Sequence, residues 1–159
     1  MRLNNFFIYS EYKCGLAGID DIKDSVELIN HAFNYQDEAK GDVRITTDKL
    51  LEKMRTSEFY VIKDRSQNIV GCVYIDKTET ALHFGLLAVA DKLRGKGLAG
   101  RIIYSIENYA LSLHKTELEL DYMNLSPWLK KYYEKYGFKE TGEIEDIGWC
   151  QLIRMTKAL

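Results

Sequence analysis

Residues 93–101 read LRGKGLAGR. An apolar run over 81–90 precedes them. Leu98, Ile102, Ile106, Ala110 and Leu113 follow at the spacing of one helix face. Strand, glycine-bearing loop and helix is the order that a phosphate-binding turn requires. Gly95 and Gly97 let the backbone turn without a Cβ penalty. The first N–H groups of the following helix then point outward, unpaired and electropositive. Lys92, Arg94, Lys96 and Arg101 cluster around the turn. Four cations beside exposed N–H groups suit a pyrophosphate better than a single carboxylate.

The surroundings of the loop limit what it can be. Working outward, 58–63 and 69–76 are β-rich runs joined by the polar turn 64–68, a hairpin. The run over 80–90 is a third strand of the same meander. Upstream, 6–12 reads as a first strand. A helix over 20–33 carries Ile22, Val26, Ile29 and Phe33 on one face, and 47–54 is a second helix with Thr47 as its cap. Downstream, 117–123 is a strand. The helix over 127–136 opens with Ser126 as N-cap and Pro127 at its first position, and Gly137 ends it. Strands over 138–143 and 149–156 close the chain. The order β, α, α, β, β, β, α, β, α, β, β predicts an α/β (α+β) fold with a mixed central sheet. The strands on either side of the long helix must be parallel, because a helical crossover joins them.

Gly95, Gly97 and Gly100 satisfy the pattern GxGxxG. They follow an antiparallel meander instead of a first βαβ strand, which argues against a dinucleotide fingerprint. The GxxxxGK[ST] spacing of a nucleotide-binding P-loop is absent.

Composition bounds the rest. The chain has 159 residues, 46 % of them hydrophobic and 29 % charged, as expected of one globular domain over 1–159. Its 22 basic and 24 acidic residues nearly balance, so neither nucleic acid nor an anionic membrane is an expected partner. Cys14, Cys72 and Cys150 form no CxxC pair and no zinc spacing, and read as free thiols. No metal site is expected. The N-terminal apolar run is too short for a signal-peptide core, and no apolar stretch reaches the ~20 residues of a membrane span. A cytoplasmic protein is the expectation.

Two segments carry a resemblance. Arg94-Gly95-Lys96-Gly97-Leu98-Ala99 is similar to the R/Q-x-x-G-x-G/A motif of the GNAT acetyltransferase superfamily. Tyr133-Glu134-Lys135-Tyr136-Gly137-Phe138 resembles the YxKxGF segment that closes the fourth helix of that superfamily. The element order also resembles that of the fold, a mixed sheet flanked by about four helices.

The resemblance implies acetyl-CoA as cofactor and acetyl transfer to a primary amine on a small molecule, peptide or protein. It implies that backbone N–H groups of Arg94, Gly95, Lys96, Gly97, Leu98, Ala99 and Gly100 hold the cofactor pyrophosphate. It implies further that Leu87, Ala88 and Val89 run beside the pantetheine arm, whose amides a strand edge can bond. The Val89 N–H is then the oxyanion donor. Many members have asparagine seven residues before the tyrosine. Ser126 stands there in this chain, with Asn124 close by, and Trp128 stands where a small residue is common. Asn124 and Ser126 are the helix-side candidates for cofactor contact. A homodimer is admitted.

Amide formation needs a base for the amine, donors for the oxyanion and a proton for the departing thiolate. Trp128, Leu129, Tyr132, Tyr133 and Tyr136 form a stripe that alone reads as core. The motif singles out Tyr133, whose hydroxyl (pKa ~10) can protonate a thiolate whose thiol pKa is roughly 8.5 or above. Tyr132, about 100° around the helix, is its internal control. His83 is the candidate base, with Asp121 and Glu79 as alternatives. Strict alternation puts His83, Gly85, Leu87 and Val89 on one face, unless a bulge breaks the parity.

The acceptor side falls to Asn34, Tyr35, Asp37, Glu38, Asp42 and Arg44, in a segment 34–46 that reads as a flap, and to Glu143, Glu145 and Asp146. Their acidic excess suits a cationic amine as well as it suits a solvated surface. A non-catalytic acyl-CoA-binding module and a nucleotide-binding protein are the competing readings.

Overall fold

A computed structural model describes residues 1–34, 41 and 43–159. Seven strands form one mixed sheet: β1 (Lys13–Leu16), β2 (Glu58–Lys63), β3 (Ile69–Lys77), β4 (Ala81–Val89), β5 (Glu117–Met123), β6 (Lys139–Asp146) and β7 (Gln151–Ala158). Four α-helices stand among the described residues: α1 (Ile22–Ala32), α2 (Thr47–Thr56), α3 (Leu98–Ser112) and α4 (Trp128–Glu134). The strand order is β1-β2-β3-β4-β5-β7-β6. The β4–β5 pair is parallel and the remaining pairs are antiparallel.

Each face of the sheet carries its own core. On one, α3 packs Ile102, Ile106 and Tyr109 onto Leu82, Phe84, Leu118 and Leu120, with Phe138 and Met155 beside them. On the other, α1 and α2 pack Ile22, Ile29 and Leu50 onto Phe59, Val61, Cys72 and Ala88. The antiparallel strands alternate between these two cores, as a pleated sheet covered on both faces requires.

Several elements differ from their sequence reading. The first strand is not 6–12. Residues Leu3–Asn5 form a 3-10 turn, Tyr9 and Tyr12 make one isolated bridge, and β1 begins at Lys13. Phe6 and Phe7 do not alternate across a sheet. Phe6 packs on Tyr109, ring centroids 5.9 Å apart, and Phe7 on Tyr9 at 4.8 Å. The cap of α2 is Thr46, not Thr47, and its hydroxyl oxygen accepts the Lys49 N–H at 3.3 Å. Helix α4 is shorter than 127–136. Gly137 lies past its end at φ 91°, and the Phe138 N–H closes back on the Tyr133 carbonyl at 3.3 Å. Trp149 belongs to the β6–β7 turn, in which the Ile147 N–H donates to the Cys150 carbonyl. The three cysteines are buried free thiols, and burial pushes Cys14 and Cys72 up to about 12.

Candidate active site

The parallel strands pair only at their start. Ala81, Leu82 and His83 are in register with Glu117, Leu118 and Glu119, and the ladder then stops. Beyond it β4 and β5 splay, and a cavity of about 710 Å³ fills the gap. Gly85 to Val89 and Leu120 to Met123 form its walls. The 93–99 loop closes one end, and Trp128, Tyr132, Tyr133 and Tyr136 of the α4 region cover one side.

A bulge separates β4 from simple alternation. Tyr74 opposes Gly85 and Cys72 opposes Ala88, so two residues, Leu86 and Leu87, face the single Val73. Leu86 sits at φ 48°, in the left-handed region. The expected common face of His83, Gly85, Leu87 and Val89 is therefore broken. Leu87 and Val89 pack toward the α3 core, while Leu86 and Ala88 turn to the α1–α2 core.

The backbone of β4 makes the cavity polar. The Ala90 N–H donates to the Val70 carbonyl at 2.9 Å. Antiparallel alternation then turns the N–H and C=O of Val89 away from β3 and toward the splay. Leu87 shares that orientation by the same step of two. Across the gap, Asn124 bonds Gln151 through its backbone N–H at 3.0 Å, which turns the backbones of Met123 and Asp121 inward. The cavity thus runs between two strand edges that face each other.

The loop after β4 folds on its own hydrogen bonds. The Arg94 N–H donates to Asp91 and the Lys96 N–H to Leu93. Gly97 caps α3 in the left-handed conformation, φ 84°. The first helical bond is from the Arg101 N–H to the Gly97 carbonyl, which leaves the N–H groups of Leu98, Ala99 and Gly100 at the open end of the helix. Of the seven loop residues expected to present N–H groups, Arg94 and Lys96 spend theirs inside the turn. Side chains divide similarly. Arg94 lines the cavity, held by Asp91 at 3.0 Å and by the Ala32 carbonyl at 3.4 Å. Lys96 and Lys92 face a separate shallow depression beside Glu11 and Asp64, and Arg101 lies over the Tyr9 ring at 4.7 Å. Gly100 serves packing rather than the turn, since a Cβ there would lie 2.5 Å from Tyr136 Oη.

Tyr133 lines the cavity, its ring edge-on to Phe138 at 6.0 Å. Phe138 in turn stands edge-on to Phe84 of β4 at 5.9 Å, so the tyrosine is braced on the sheet. Tyr132 lines the cavity as well.

His83 is not a lining residue. It sits in a polar chain that reaches the cavity wall at Asp121. Its Nε2 is 3.2 Å from Asp121 Oδ2 and its Nδ1 is 3.5 Å from Tyr74 Oη. Arg154 of β7 grips the same carboxylate, through Nε at 2.6 Å and Nη2 at 3.3 Å, and reaches Glu119 at 3.2 Å. Burial raises the Asp121 pKa, but the bonds from His83 and Arg154 outweigh it and bring the carboxyl down to about 2. An ionised carboxylate only accepts, so His83 Nε2 carries the proton and neutral His83 presents Nδ1 to Tyr74.

Some of the other predicted residues stand apart from the cavity. Asn124 uses its Oδ1 to accept the Gln151 N–H at 2.9 Å, tying β5 to β7. Ser126 is fully buried, and its carbonyl accepts the Leu129 N–H at the start of α4. Glu79 lies in the β3–β4 turn, at the paired end of β4. Glu143, Glu145 and Asp146 lie on β6, exposed along its whole length at the sheet edge. Arg44 lines the cavity with its guanidinium 4.9 Å above the Phe33 ring, and Trp128 lines it while 54 % exposed. Tyr35, Asp37, Glu38 and Asp42, and with them most of the expected flap, lie outside the described residues. Tyr74, which holds the free nitrogen of His83, was not among the sequence candidates. Only the glycine at 85, a weak strand residue opposite it, signals a close approach.

A model of the GNAT acetyltransferase domain matches residues 29–159. This chain belongs to the GNAT acetyltransferase family. Solved GNAT structures share its fold at low identity. The spermidine N-acetyltransferase of Vibrio cholerae, in complex with CoA and spermine, is 20 % identical with a TM-score of 0.73, over 94 % of this chain and 96 % of that one. Ard1 from Thermoplasma volcanium is 16 % identical at 0.75, over 94 % and 98 %. A GNAT acetyltransferase from Elizabethkingia anophelis with acetyl-CoA bound is 17 % identical at 0.69, over 95 % and 100 %. No curated protein sequence matches the chain. Among the described residues, no helix is long and apolar enough to cross a membrane.

Proposed function

We propose that this GNAT chain transfers an acetyl group from acetyl-CoA to a primary amine by direct attack with both substrates bound. The observation that carries the reading is the splayed end of β4, where the Val89 backbone faces a cavity closed by the α3 N-terminus. A pantetheine arm is a chain of amides, and two inward-facing strand edges suit it. A pyrophosphate suits the N–H groups of Leu98, Ala99 and Gly100, with the Arg94 guanidinium beside them. The residues present therefore fit acetyl-CoA.

When bound, acetyl-CoA supplies the thioester that the amine attacks. The Val89 N–H is assigned to the developing oxyanion, where a fixed donor stabilises charge without reorganising. Tyr133 is assigned as the proton donor to the departing sulfur, with its ring held by Phe138. His83 is assigned as the base. Asp121 is too acidic to take the proton itself, and instead supports the imidazolium that forms.

The test is release of coenzyme A thiol from acetyl-CoA across a panel of amines. Tyr133→Phe is expected to lower kcat by about 100-fold. Tyr132→Phe keeps turnover near wild type. Because both tyrosines line the cavity, acetyl-CoA affinity is measured separately by calorimetry. Binding with no turnover for any amine overturns the enzyme reading in favour of an acyl-CoA-binding module. A melting temperature raised by ATP or NAD but not by coenzyme A overturns both.

A further inference from the structure

His83 does not line the cavity, and its proton-accepting nitrogen faces Tyr74 of β3. A base so placed needs a carrier. Gly85 lines the cavity, and a Cβ on it would meet Tyr74 Oη at 2.6 Å and Tyr74 Cε1 at 2.5 Å. The Tyr74 hydroxyl therefore packs behind Gly85, in the place of the missing side chain, and from there it reaches His83 Nδ1 at 3.5 Å. Tyr74 is fixed from below by Lys53, whose Nζ stands 3.8 Å from the ring centroid and 2.8 Å from Asp76.

We infer that Tyr74, His83 and Asp121 form a proton relay that carries the acceptor amine's proton out of the cavity through the gap left by Gly85. The inference rests on the acetyl-transfer reading. In the step, the acceptor R–NH3⁺ gives one proton to Tyr74 Oη as Tyr74 passes its own to His83 Nδ1. The products are R–NH2, neutral tyrosine and an imidazolium. No bond to carbon changes, and the imidazolium returns its proton to water between turnovers. The chain of partners is continuous: Tyr74 to His83 to Asp121, with Arg154 and Glu119 beyond. Burial, with the charges of Asp76 and Asp121, raises the Tyr74 pKa, so the hydroxyl stays protonated and acts as a conductor, not a base. The charged groups around His83 are Asp76 on β3, paired with Lys53 of α2, Asp121 and Glu119 on β5, and Arg154 on β7. Asp121 alone among these carboxylates bonds the ring, so it sets the tautomer.

Two measurements test the relay. In the ¹⁵N-labelled protein without ligand, imidazole NMR is expected to report neutral His83 as the Nε2–H tautomer. Its Nδ1 resonance then shifts in Tyr74→Phe, which removes the donor. The Nδ1–H tautomer overturns the relay. In the thiol-release assay, Tyr74→Phe lowers kcat by about 100-fold and leaves the acetyl-CoA KM within about twofold. Asp121→Asn, which leaves no carboxylate to support the imidazolium, lowers kcat as well. A Tyr74→Phe or Asp121→Asn enzyme with wild-type kcat overturns the relay alone. A wild-type protein that turns over no amine overturns the acetyl-transfer reading and the relay with it.

Discussion

Gly100, in the first turn of α3, makes room for the hydroxyl of Tyr136 just beyond α4: a Cβ at position 100 would stand 2.5 Å from Tyr136 Oη and 3.3 Å from its Cζ. The residue that follows the first family-like segment therefore meets the second. One segment supplies the open N-terminal end of α3. The other ends the helix that carries Tyr133. Ala99 and Tyr136 both line the cavity.

Gly100→Ala is expected to displace Tyr136 and weaken coenzyme A binding. Overpacking of this kind costs about 1–3 kcal/mol. The second variant Gly100→Ala/Tyr136→Phe restores most of the affinity, because the nearest remaining ring atom, at 3.3 Å, needs to give by only a few tenths of an ångström. Calorimetry with coenzyme A measures both. Equal affinities for the single and double variants would show that the hydroxyl is not what the methyl group meets.

Gly97→Val is expected to harm coenzyme A binding more than Lys96→Ala. Gly97 caps α3 at φ 84°, where a residue with a Cβ loses roughly 1–2 kcal/mol and a β-branched one more. Lys96 faces away from the cavity, so its loss costs only screened long-range charge. The Kd values decide it: a larger loss for Lys96→Ala would mean that side-chain charge, not loop geometry, holds the phosphates.

The Asp121 carboxyl makes stability depend on pH with a definite sign. Its folded pKa, about 2, lies below the ~3.9 of an unfolded aspartate. The group therefore stabilises the fold fully above the unfolded value, and this contribution fades as pH falls through the folded one. It amounts to roughly 2 kcal/mol. Urea denaturation of wild type and Asp121→Asn at several pH values is expected to show a gap that is widest above pH ~5 and closes toward pH ~2. A gap constant across that range would remove the carboxylate's bonds to His83 and Arg154 as the source.

Local pattern is sufficient where an element's residues answer mainly to their neighbours in the chain. The limits of β2 and β5 coincide with their apolar β-rich runs, and α3 begins at Leu98 as its spacing predicts. The loop is legible for the same reason: a left-handed cap needs glycine, and a helix start leaves N–H groups free wherever it occurs. The N-terminal aromatics show the converse. Phe6 and Phe7 look like a strand, but Tyr109 and Tyr9 offer them packing partners that no local rule contains.

The site itself divides along that line. Backbone donors at the α3 N-terminus follow from short-range sequence, whereas Tyr133 stands out from its aromatic stripe only through the resemblance of the YEKYGF segment. Which cation faces the cavity, where the bulge at Leu86 flips the parity of β4, and that Asn124 ties β5 to β7 follow only from the fold. His83, Asp121, Tyr74 and Arg154 lie on four different strands, and their hydrogen bonds exist only where β3, β4, β5 and β7 lie side by side in the sheet. Loop geometry is dictated by steric limits within a few residues. A proton path depends on distances of about 3 Å between groups far apart in the chain, and only tertiary packing sets those.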